Sequence, residues 1–287
     1  MNYTKYIIIL LVVPIFSQFG KNIVQYSIFD WHYIQTEYFD IYYYDTQVNA
    51  DYVAEESKNA YNRISKAIGW ELTNRIPIII YNSHNDFQQT NVIDMYMPEG
   101  VGGVTELYKN RVVIPYDAEH KKFKDVLHHE LVHAFINDYL YKGNAINMQD
   151  QNIKPIPLWM NEGLAEFLTE SWSTESDMWI RDLVINGEQL PTFNQLNGYL
   201  AYRGGQSIWK FIIEVLDVSY LTKETNAPTI IASIFRSISN GGDLNEAFKN
   251  NINLNLEELE EEWQKYLKKQ YWVDINDRNY IADIATP

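Results

Sequence analysis

From Lys122 to Leu140 the chain keeps apolar residues at 123, 126, 127, 131, 132, 135, 136 and 140, the spacing of a helix that buries much of its surface. Within that stretch stand His129, Glu130 and His133. A buried imidazole without a partner is costly, so any fold that accepts this helix must supply one to each histidine. A spacing of four sets both rings on one helical face about one turn apart, where two nitrogens can reach a single zinc ion. Glu130 stands beside the first histidine, placed to face the water that such an ion activates without being a ligand itself. His128 is rotated about 100° from His129 around the helix and lies outside this group.

The chain has no cysteine. That excludes disulfides, thiolate sites and a cysteine nucleophile, and leaves His, Asp or Glu to complete a metal site. The segment Leu158 to Thr169, introduced by Pro157, reads as a second helix, and it carries Glu162 and Glu166 four residues apart on one face. The rest of that helix is apolar, with Leu158, Trp159, Leu164 and Phe167 among its residues. Two aligned acids there need a cation or a donor, and one zinc ion with a histidine ligand supplies both.

The chain is 287 residues long and 46% hydrophobic, enough for a substantial core. Its aromatic residues, 15% of the total, read as core material. A formal net charge of -15 repels phosphate backbones and anionic lipid, so nucleic acid and anionic membrane are poor partners and no nucleic acid is expected. The N-terminus reads as a signal peptide over residues 1–18: Lys5 supplies the positive start, Tyr6 to Phe16 the apolar run, and Ser17, Gln18 and Gly20 a small, polar exit. That run is short for a membrane span and is interrupted by Pro14; the alternative is an uncleaved N-terminal anchor. No comparable run follows, so the expectation is an exported protein with no stable span once the leader is removed. The sequence leaves the oligomeric state open.

Strand patterns at Phe39 to Asp45, Pro77 to Tyr81 and Arg111 to Tyr116 surround an amphipathic helix at Ala50 to Trp70, with a break at Gly100 to Gly103. After Lys122 the patterns are helical: 122–140, ended by Gly143, then 158–169, 206–216, 229–238 and 256–272, with turns at Gly241-Gly242 and Asn250 to Asn255. The expected fold class is α+β. A small N-terminal sheet lobe meets a helical lobe, and the metal sits in the cleft between them. The expected organisation is a leader over 1–18, the sheet lobe and zinc helices over 19–190, and a C-terminal helical lobe over 191–287, divided in the polar stretch Asn186 to Asn197.

A His-Glu-x-x-His helix followed by Asn161-Glu162-Gly163 resembles the gluzincin pattern, and Trp159-Met160-Asn161-Glu162-Gly163-Leu164-Ala165-Glu166 resembles the third-ligand helix of zinc aminopeptidases and, in looser form, that of thermolysin-like peptidases. The resemblance to this peptidase MA-like domain spans roughly residues 35 to 272. It implies a thermolysin-like architecture and one Zn2+ per chain, held by His129, His133 and Glu162. It implies Glu130 as general base and a supporting position behind the ligands for Asn161 and Glu166. Thermolysin-like enzymes carry Asp where Glu166 stands. No glycine and third histidine follow at metzincin spacing. Tyr202-Arg203-Gly204-Gly205 matches a Tyr-x-x-Gly string whose tyrosine donates to the oxyanion, which implies that role for Tyr202, with Tyr199 as its competitor. Gly103-Val104-Thr105-Glu106 stands where aminopeptidases carry Gly-x-x-Glu-Asn on the strand that pairs with substrate, which makes Gly103 and Glu106 candidate substrate-strand residues.

The activity so implied is hydrolysis of peptide bonds in a peptide or protein substrate. Two other readings stay open: a zinc hydrolase of a non-peptide amide or ester, and a non-catalytic binding domain with a peptidase fold. Leu107 replaces the Asn of the aminopeptidase string and nothing else marks a pocket for an α-amine, so cleavage of internal bonds is expected and Glu106 is not expected to anchor an amine.

Overall fold

The computed structural model describes residues 26–45, 47–92, 97–117, 119–142, 155–187, 189–217 and 228–276. The expected leader over 1–18 and the helix stop at Gly143 lie outside the described residues.

β1 (His32–Gln35) and β2 (Phe39–Tyr43) pair antiparallel; β3 (Ile76–Tyr81) and β5 (Arg111–Pro115) continue parallel to β2; β4 (Val104–Glu106) closes the edge antiparallel to β5. The order is therefore β1-β2-β3-β5-β4. Period-two alternation sends Phe39, Ile41 and Tyr43 of β2 and Ile76, Ile78 and Ile80 of β3 into the core. The crossover from β2 to β3 is α1 (Gln47–Ile68), which buries Val53, Ala60, Ile64 and Ile68. A one-turn helix, α2 (His84–Phe87), follows β3 and is capped by the Ser83 side chain. β1 lies upstream of the first strand read from the sequence.

The middle of the molecule is α3 (His120–Tyr141), which packs against α1, β4 and β5 on one side and α4 (Leu158–Glu170) on another. It is buried around most of its circumference, as a helix enclosed by a sheet and other helices must be. It ends at Lys142, which adopts the left-handed conformation with φ 51°.

Beyond α4 lie α5 (Thr174–Asn186), a 3₁₀ turn at Phe193–Gln195, α6 (Tyr199–Phe211) with a π turn at Ile212–Leu216, α7 (Ile230–Ser239), α8 (Leu244–Ile252), α9 (Leu256–Gln270) and α10 (Trp272–Asn276). α6 starts at Tyr199, ahead of the expected Gln206. α5 and α8 were not expected. α5 fully buries only Ser176 and Ile180, too little to mark a face, and its one clear signal is the Ser173 cap on Ser176. α8 is short and polar but capped by Asp243; it carries the expected turn onward to Asn253, and Asn255 then caps α9. One buried cluster runs across the expected division at 190, and the Trp209 indole donates across it to the Met160 carbonyl at 2.9 Å. No described helix is long and apolar enough to cross a membrane.

α4 and α6 cross with their backbones in contact. A Cβ at Gly163 would lie 2.1 Å from the carbonyl carbon of Gly205, and one at Gly205 would lie 2.0 Å from the Trp159 carbonyl oxygen. Only glycine tolerates such an approach. The crossing brings Tyr202, on α6, alongside the acids of α4.

Candidate metal centre

α3 and α4 aim three donor atoms at one point. His129 Nε2 and His133 Nε2 are 3.0 Å apart, and each is 3.2 Å from Glu162 Oε2. Among the described residues this is the one group of three arranged to hold a metal ion. If both imidazoles donate a proton to Glu162, two N–H groups face each other across the 3.0 Å nitrogen contact. A cation at the centre satisfies all three atoms at once, and two imidazoles with a carboxylate are a donor set suited to zinc.

The electrostatics demand positive charge at this point. Burial works to lower the basicity of His129, but hydrogen bonds to Glu162 and Glu166 and the charge of Glu130 outweigh it and push its pKa up to about 10. Burial likewise opposes ionisation of Glu162, yet the two histidines hold its carboxyl well below the ordinary range.

Glu166 lies behind His129. Its Oε1 is 3.1 Å from His129 Nδ1, which directs the other ring nitrogen toward the metal position. Its Oε2 accepts from Arg203 Nη1 at 2.7 Å. The longer acid therefore bridges His129 and the Arg203 guanidinium. Arg203 also donates to Tyr199 at 2.9 Å, and Gln206 and Ser176 lie within reach of its guanidinium. The reading of the sequence missed Arg203; the available signal was a charged residue inside the otherwise small and apolar Tyr-x-x-Gly segment. Asn161 lines the cleft, but its buried side-chain oxygen has no hydrogen-bond partner, and neither has His133 Nδ1.

The two candidate tyrosines separate cleanly. The Tyr202 ring stacks on His129 at 5.8 Å and 12°. Burial first, and then the charge of Glu162 and a hydrogen bond to it, raise the Tyr202 pKa, so the phenol keeps its proton at neutral pH. Tyr199 is 46% exposed and turned toward Arg203 and Glu175.

Glu106, a candidate substrate-strand residue, has its carboxylate engaged away from the ligand group. Strand alternation directs Thr105 toward α3 and Glu106 away from it. The Glu106 carboxylate is taken up by Arg111 Nε at 2.9 Å, its cross-strand partner, and by the backbone N–H groups of Tyr108 and Lys109 in the β4–β5 turn. Gly103 does line the cleft, and its missing side chain makes room for α3: a Cβ there would lie 2.9 Å from Val126 and 3.1 Å from Glu130 Cγ.

The cleft extends to both sides of the ligands. One arm, about 470 Å³, passes Val126, Glu166, Glu170, Tyr199 and Arg203; the other, about 390 Å³, passes Val104, Leu107, Asn137 and Asn161. His129, Glu130 and Tyr202 line both arms.

A mixed sheet backed by helices carries a His-His-Glu group able to hold a metal ion in a two-armed cleft. The family model described as Peptidase MA superfamily matches residues 56–269, and the chain belongs to that superfamily. The sequence matches no curated protein. Among solved structures, that of an M1 zinc metallopeptidase from Deinococcus radiodurans is similar over 87% of this chain at 12% identity and a TM-score of 0.47. The chain spans 52% of the length of that relative, and the family assignment rests on the superfamily match alone.

Proposed function

We propose that this protein is an exported zinc metallopeptidase that cleaves internal peptide bonds, with one zinc held by His129, His133 and Glu162. The observation that carries the reading is the convergence of those three donor atoms within 3.2 Å in the wall of an open cleft, with Glu130 beside them. His129, His133 and Glu162 would hold a zinc ion, which would supply Lewis-acid polarisation of the scissile carbonyl and lower the pKa of water. Glu130 takes the proton of the attacking water and returns it to the leaving amine. Tyr202 donates its hydroxyl to the oxyanion as the carbonyl becomes tetrahedral. Glu166 keeps His129 in one tautomer. Export rests on the leader-like N-terminus. Internal cleavage is supported by the cleft continuing past both sides of the ligands and by Glu106 being engaged elsewhere, so that β4 offers no carboxylate to an α-amine.

The test combines elemental analysis with turnover of a peptide library. Wild type should hold one zinc per chain and lose cleavage with a chelator; His133→Ala should lose the zinc. Glu130→Gln should keep zinc and lose roughly 10²–10⁴ in turnover. Wild-type turnover in Glu130→Gln, or zinc unchanged in His133→Ala, ends the reading. Cleavage of esters or simple amides but of no peptide moves it to a non-peptide hydrolase. Acetylating the N-terminus of a good substrate should leave cleavage intact, and loss of cleavage would make the enzyme an aminopeptidase.

A further inference from the structure

The strand wall of the cleft touches the proposed base directly. The Thr105 hydroxyl donates to Glu130 Oε2 at 2.6 Å. The Glu130 carbonyl is 2.9 Å from the same hydroxyl oxygen, but a hydroxyl has one proton to give and the carboxylate is the nearer acceptor. Two residues earlier on the same face, Gly103 presents no side chain where a Cβ would meet Glu130 Cγ at 3.1 Å and Oε1 at 3.5 Å. β4 is hydrogen-bonded to β5 with Thr105 opposite Val112, and Val112 is fully buried, so the position of the hydroxyl is set by the sheet. Glu130 is thus tethered at Oε2, with its other oxygen beside the gap left by Gly103.

We propose that Thr105 is a positioning residue for the general base: its hydroxyl holds Glu130 Oε2 and leaves Oε1 to take the proton of the attacking water. A carboxylate at the end of two freely rotating methylenes is a poor base unless one rotamer is selected. A misplacement of about 1 Å in a reacting group can cost roughly 100-fold in rate. Substrate binding along the cleft does not depend on the hydroxyl, so its loss acts on kcat rather than KM. The inference rests on the peptidase reading for its kinetic consequence, but the tether itself does not.

The experiment therefore has two arms. In the first, Thr105→Val, which keeps the shape, and Thr105→Ser, which keeps the hydroxyl, are compared with wild type on a peptide that the chelator-sensitive enzyme cleaves. Thr105→Val should lower kcat about 10- to 100-fold with little change in KM or zinc content, and Thr105→Ser should restore most of it. Gly103→Ala, which crowds the same carboxylate from the other side, should lower kcat in the same way. In the second, infrared difference spectra of metal-free protein isolate the Glu130 carboxylate stretch by subtraction of Glu130→Gln. That band should shift in Thr105→Val and stay in place in Thr105→Ser. An unmoved band overturns the tether whether or not the protein cleaves peptides. A moved band with wild-type kcat in Thr105→Val, or a Ser variant as slow as the Val variant, overturns the positioning role. If wild type cleaves nothing while the band moves, the tether stands and the peptidase reading falls.

Discussion

The helical wall of the cleft and its strand wall use acids in opposite ways. On α4 the two acids stand four residues apart on a regular helix, and both reach the metal centre: Glu162 meets the two histidines and Glu166 holds His129 from behind. On the strand wall the candidate acid, Glu106, closes the β4–β5 turn. The difference is one of local demand. A helix interior satisfies its own backbone, so a helical carboxylate is free to serve the site. β4 is three residues long and leads straight into a turn whose N–H groups need acceptors, and the nearest carboxylate supplies them. The strand wall contributes through Thr105 and Gly103 instead, one by a hydroxyl and the other by its missing side chain.

If the helical wall depends on the contact of α4 with α6, closing the gap between them should do the most damage. Gly205→Ala puts a methyl 2.0 Å from the Trp159 carbonyl and should destabilise the protein by about 3 kcal/mol or more, read as the denaturant midpoint. A midpoint near wild type would show that the crossing can spread cheaply, and the rigidity ascribed to this wall would be wrong.

The next largest effect probes what that crossing delivers. Tyr202→Phe removes one donor and should lower kcat by roughly 10²–10³ without loss of zinc. Tyr199→Phe, its hydroxyl turned to Arg203, should stay near wild type. The reverse result would assign the oxyanion role to Tyr199.

Acid should weaken the helical wall from behind. His128, next to the proposed ligand His129, faces Arg63, Glu56 and Lys124 rather than the cleft. Its Nδ1 accepts from Arg63 at 2.6 Å, so the folded ring is neutral, and burial followed by the charge of Arg63 lowers its pKa to about 4. The unfolded chain binds that proton near pH 6.5, so the folded state binds fewer protons between those values. Stability is complete above about pH 6.5 and declines as pH falls toward 4, by about 2 kcal/mol at pH 5. Unfolding curves at pH 7 and 5, with chelator present, should show this loss in wild type and much less in His128→Gln. Equal losses in the two proteins would place the acid sensitivity elsewhere.

The smallest effect belongs to the strand wall. Glu106→Gln keeps an acceptor for the turn but gives up the ion pair with Arg111, and should cost about 1 kcal/mol of stability with kcat and zinc unchanged. A specific loss of turnover on peptides with a free N-terminus would return Glu106 to the site.

The α+β class, the metal helix and its partner were legible in the sequence because they rest on local rules. Four-residue spacing on a helix puts His129 with His133, and Glu162 with Glu166, on one face whatever surrounds them, and an apolar helix makes those polar residues conspicuous. Three things needed the tertiary structure. Tyr202 and Tyr199 lie three residues apart on the same helix, and only the glycine contact of α6 with α4 decides which ring meets His129. Arg203 became a partner of Glu166 because α6 crosses α4, a contact separated by 37 residues that no periodicity reveals. The surroundings of Thr105 and Glu106 follow from the register of a three-residue strand on β5, since the pleat turns one residue toward Glu130 and the next away from it. Helical spacing is a property of the chain itself; the face that a short edge strand presents, and the helix that crosses another, depend on neighbours far away in sequence.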